Sequence, residues 1–79
     1  MSLAVRLEKL KFIVNEIQLA LHLSRYAPDD FVARTLSRHI AIRAENFVAH
    51  ARHLRAPLNR LGINTHDFHR TKEIYAEFF

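Results

Sequence analysis

Apolar positions recur at helical spacing along most of this chain. Leu3, Leu7, Leu10, Val14, Ile17 and Leu21 fall four and three residues apart. At about 100° per residue they form one narrow seam of the coiled-coil kind. Val5, Phe12, Leu19 and Leu23 lie on nearly the opposite side of the same helix, which the pattern places over residues 2–25. A helix apolar on two sides must bury both, one against a second helix and the other against a third helix or another chain. The run Tyr26, Ala27, Pro28, Asp29, Asp30 breaks the pattern. Pro28 fits a first helical turn, and the two aspartates suit the positive end of a helix dipole. A second helix is expected over residues 29–56, stopped by Pro57. Its stripe is Ala33, Leu36, Ile40, Ala44, Phe47, Ala51 and Leu54. Small residues alternate with large ones there, which permits close approach of the two helices. Joined by a short turn, they make an antiparallel hairpin. Leu58 to Leu61 read as a turn ending at Gly62, a natural C-cap. Asn64 or Thr65 can cap a last helix over residues 65–79, which carries Phe68, Ile74, Tyr75, Phe78 and Phe79.

The fold class is therefore all-α: a hairpin of long helices plus a short C-terminal helix, in a bundle completed by dimerisation. Seventy-nine residues make a single domain over 1–79. A domain of this size buries only about 60% of its unfolded surface, so its margin of stability is thin. No cysteine is present to supply a disulfide or a thiolate metal site. With 49% apolar residues, oligomerisation is the natural supplement, so a homodimer is the expected partner state. Two phenylalanines close the chain with no stop signal, which fits either a piece of a longer protein or a docked C-terminus. Its start lacks a basic segment followed by an apolar run and a cleavage site. No stretch holds the roughly 18 uncharged apolar residues that a membrane span needs. The expectation is a cytoplasmic protein without membrane contact.

Net charge is +4, and it is uneven. Between Phe31 and Gly62 stand six arginines (Arg34, Arg38, Arg43, Arg52, Arg55, Arg60) and one acid, Glu45. A basic stripe suits RNA or another polyanion, and a solvated helix face is the other account of the same charge.

One polar set on the second helix carries candidate chemistry. His39, Arg43, Asn46, His50 and His53 are spaced four, three, four and three, so they line one side beside the apolar stripe. Arg43 and His50 fall closest to the stripe and are expected half-buried, where a histidine can be held in a defined tautomer. A histidine and an arginine two turns apart can cleave RNA without metal. The histidine serves as general base or acid, and the arginine stabilises charge developing on the phosphate. Asn46 between them can bond the phosphate or orient His50. Arg38, His39 and His53 flank Arg43, Asn46 and His50 as candidate RNA-binding residues.

The segment Arg43-Ala44-Glu45-Asn46-Phe47-Val48-Ala49-His50 reads as arginine, six residues, histidine. It resembles the Arg-x(4–6)-His signature of HEPN domains, all-helical bundles that include metal-independent RNases of toxin–antitoxin and anti-phage defence systems. The resemblance implies catalytic roles for Arg43 and His50 with Asn46 as a polar helper, a dimer with the two motifs facing each other, RNA as substrate and an antitoxin or other protein as partner. It implies no cofactor.

Other chemistry is less well provided for. His66 and His69 with Asp67, or His50 with His53, can each offer two or three ligands, but zinc needs three or four that converge, so no metal site is assigned. A single glycine excludes a phosphate-cradling loop. The first helix mixes Lys9, Lys11, Glu8 and Glu16 on its polar side, which favours core packing over membrane binding. Two functional readings remain: a HEPN-like RNA-binding or RNA-cleaving domain, and a non-catalytic helical module for dimerisation or protein interaction.

Overall fold

The computed structural model describes residues 2–79, and every element in them is helical. Helix α1 (Leu3–Ser24) and α2 (Asp30–His50) form the long hairpin. Helices α3 (Arg55–Arg60) and α4 (Thr65–Ile74) follow, and a 3₁₀ turn (Ala76–Phe78) ends the chain.

Side chains at the helix starts explain why α1 and α2 begin where they do. Ser2 accepts the Val5 N–H on Oγ at 3.2 Å, and Asp29 accepts the Val32 N–H on Oδ1 at 2.9 Å. Such a cap contributes about 1 kcal/mol by satisfying an orphan donor of the first turn. Because the Asp29 cap fixes the start of α2, Pro28 lies just outside the helix and not in its first turn.

The second helix is shorter than the 29–56 expected. It ends at His50, and the chain turns through Ala51–His53, with His53 in the left-handed region at φ 67. Pro57 accounts for this. A helical proline lacks the N–H that would bond the carbonyl four residues back, and its ring collides with that carbonyl. For Pro57 that carbonyl belongs to His53. A helix therefore cannot run unbroken through His53 to Pro57, and Pro57 itself sits harmlessly in the first turn of α3. The turn also swings Leu54 and Leu58 into the core, where both are buried.

Helix α3, expected to be only a turn, closes in a Schellman arrangement. The Gly62 N–H donates to the Asn59 carbonyl at 3.0 Å and the Ile63 N–H to the Leu58 carbonyl at 2.9 Å, with Gly62 at φ 78. Asn64 then caps α4, accepting the His66 N–H on Oδ1 at 3.0 Å. The last helix does not run to residue 79. It stops at Ile74 and tightens into the 3₁₀ turn.

The core is the α1–α2 seam closed by the C-terminal elements. Leu10, Ile13, Val14, Ile17 and Ala20 of α1 meet Ile40, Ala44 and Phe47 of α2. Phe68 of α4 lies against Phe47 with ring centroids 4.2 Å apart. Leu7, Leu21, Leu36, Ile63 and Tyr75 border the cluster. Val5, Phe12, Leu19 and Leu23 remain exposed on the outer side of α1. No helix is long and apolar enough to cross a membrane among the described residues.

Gly62→Ala should lower stability by about 1 kcal/mol, since a Cβ at Gly62 meets no neighbour and the cost is the left-handed backbone alone. In a domain of this size that is a fall in Tm of about 4–8 °C, read by thermal circular dichroism. An unchanged Tm would show that α3 does not need its left-handed stop.

Candidate functional site

Helix α2 presents His39, Arg43, Asn46 and His50 along one side, as their spacing requires. Their contacts divide them into two groups. Glu16 of α1 reaches into the seam and holds the first two: its Oε2 lies 3.3 Å from Arg43 Nε and 3.6 Å from His39 Nε2. Glu16 therefore belongs to the seam and not to the outward polar side of α1. Its side chain is 22% exposed, and its Oε1 is buried without a hydrogen-bond partner. Arg43 is half-buried, as expected, but a phosphate approaching it must compete with a carboxylate already in contact.

His50 stands apart from this pair. It is exposed, where the spacing suggested half-burial, because it is the last residue of α2 and no following turn covers it. Its Nδ1 lies 2.7 Å from the Asn46 carbonyl oxygen. A carbonyl only accepts, so in the neutral ring the proton sits on Nδ1 and the lone pair on Nε2. His50 thus offers Nε2 to solvent as a proton acceptor. Asn46 contributes its backbone carbonyl to this arrangement, and the residue itself is half-buried. Arg38 is exposed on α2 and makes no ion pair among the described residues.

His53 leaves the α2 face altogether, since it lies beyond the helix end in the left-handed turn. It lines a groove of about 450 Å³ between the α2–α3 turn and α4. Arg52, Arg55, His66, His69 and Lys72 line the same groove, with Glu45 as its one carboxylate. Sequence reasoning missed this grouping. The signal was present in His66, His69 and Lys72, spaced three apart on one face of α4, but only the turn at His53 brings Arg52 and Arg55 opposite them. Among the described residues no group of three histidines or carboxylates is arranged to hold a metal ion.

No protein family, curated protein or solved structure matches the chain.

Arg43→Ala should destabilise the fold more than Glu16→Gln does, in urea unfolding. The first leaves a carboxylate in the seam without its cation, while the second keeps the shape and removes the charge. Arg43 is 36% exposed, so solvent screens the pair, and a double-mutant cycle should give a coupling at or below about 1 kcal/mol. The reverse order of the single variants would contradict this account of the pair.

Proposed function

We propose that this chain is a HEPN-like helical domain that binds RNA and cleaves it without metal, with His50 as the proton acceptor. The observation that carries the reading is the contact of His50 Nδ1 with the Asn46 carbonyl, which in the neutral ring puts the lone pair on Nε2, on an exposed residue on the same helix side as Arg43. His50 Nε2 takes the proton of a ribose 2′-hydroxyl, and the 2′-oxygen attacks the adjacent phosphorus. The bond to the 5′-oxygen breaks, and that oxygen takes a proton from water. His50 then returns its proton to solvent. The products are a 2′,3′-cyclic phosphate and a 5′-hydroxyl. Arg43 supplies positive charge near the phosphate once it exchanges Glu16 for the substrate. Ala44, at the position after the arginine where many HEPN members carry a polar residue, is fully buried and adds nothing to the site.

The second reading is a helical module for self-association. It is favoured by the outer side of α1, where Val5, Phe12, Leu19 and Leu23 are each between 46% and 64% exposed. A row of large apolar groups in water is the usual mark of a surface that meets another chain.

The deciding experiment is cleavage of a mixed, structured RNA in EDTA by the wild type and His50→Ala, with helicity checked for both. The proposal expects cleavage by the wild type that leaves cyclic phosphate ends and is lost in the variant. It fails if a folded wild type leaves the RNA intact. In that case, a wild-type dimer that Phe12→Glu splits in sedimentation, with helicity kept, would establish the module.

A further inference from the structure

We propose that the groove between the α2–α3 turn and α4 seats the phosphate backbone of the RNA, apart from the His50 side of α2. This rests on the RNA reading above and gives it a binding surface. Arg52 comes from the turn after α2, Arg55 from the first residue of α3, and Lys72 from the last turns of α4. Three permanent cations from three elements thus converge on one concavity against a single carboxylate, Glu45. Bringing like charges together works against the folded state, and a bound polyanion relieves that repulsion. His53, His66 and His69 add imidazole N–H donors to the same walls.

The shape fits a strand better than a single small anion. The groove holds about 450 Å³. Along α4, His66, His69 and Lys72 cover roughly 9 Å of helix axis, enough for more than one phosphate. The floor is Phe47 and Ala51, both buried, so the exposed rings of the groove are the imidazoles of His53, His66 and His69. Contacts to phosphates position a strand without reading its sequence, and stacking of a base on an imidazole is equally tolerant of sequence. The groove is therefore a sequence-tolerant anchor. It also lies beside the candidate base: Ala49 lines it while His50, the next residue, points about 100° away around α2.

The test is binding of a short fluorescent single-stranded RNA of mixed sequence, measured by anisotropy over a range of salt. The groove variant is the triple Arg52→Gln, Arg55→Gln, Lys72→Gln. The control removes the same charge from exposed sites on and after α1, with Arg6→Gln, Lys9→Gln and Arg25→Gln. Helicity is checked for both. The groove triple should bind at least about tenfold more weakly, and its log–log salt slope should be shallower by about two, the loss of three single-strand phosphate contacts. The control should keep most of the affinity. Glu45→Gln, which removes the groove's carboxylate, should bind more tightly than the wild type. Equal affinity and slope for the groove triple and the wild type overturn the groove while leaving RNA binding intact. Equal losses in the two triples also overturn it, because charge alone would then explain binding. A wild type that binds no RNA at low salt overturns the RNA reading itself.

Discussion

The close packing of α1 on α2 is the constraint on which everything else in this molecule depends. Ile40, Ala41, Ala44 and Phe47 are all fully excluded from water, and two of the four are alanines. Small side chains at those positions let the helices approach closely, and the large ones fill the space between them. Each large apolar side chain buried there contributes about 1.5–3 kcal/mol. The caps and the Glu16–Arg43 pair contribute about 1 kcal/mol or less apiece. The seam therefore decides the geometry and the polar groups adapt to it. Glu16 shows the adaptation: lying next to Ile17, it is drawn into the seam with one oxygen on Arg43 and His39 and the other unpartnered.

From that seam the two polar surfaces follow. Phe47 faces inward and meets Phe68, which docks α4 against α2. With Phe47 fixed, Asn46 and His50 are carried to one side of the helix and Glu45 and Ala49 to another, and the turn after α2 sets Arg52 beside the latter. The first side holds a histidine with a defined tautomer. The second forms the wall of a basic groove. A strand anchored by its phosphates in that groove would run close to the end of α2, where His50 stands. Binding and chemistry would then be separable by mutation, because they rest on different side chains.

Much of the fold was legible in the sequence because it rests on local periodicity. The heptad-like leucines of α1, the small-and-large alternation of α2, the Gly62 stop and the Asn64 cap each state their own structure. The end of α2 was misplaced because Pro57 acts four residues upstream, on the His53 carbonyl, and not at its own position. That error carried His53 onto the wrong surface. The candidate site was legible only as a face. Which groups on that face meet, and which carboxylate from α1 reaches them, depends on how the two helices are rotated against each other. The groove was the least legible feature, since its cations are distant in sequence and meet only through the turn at residues 51–53.

The most direct test of the account is a map of backbone amide shifts in isotopically labelled protein as single-stranded RNA is added. The account predicts changes concentrated at the C-terminal end of α2, the turn after it, the start of α3 and the face of α4 that carries His66, His69 and Lys72. It predicts silence along the outer side of α1. Shifts confined to Val5, Phe12, Leu19 and Leu23, or none anywhere, would contradict it and leave the chain as an assembly module.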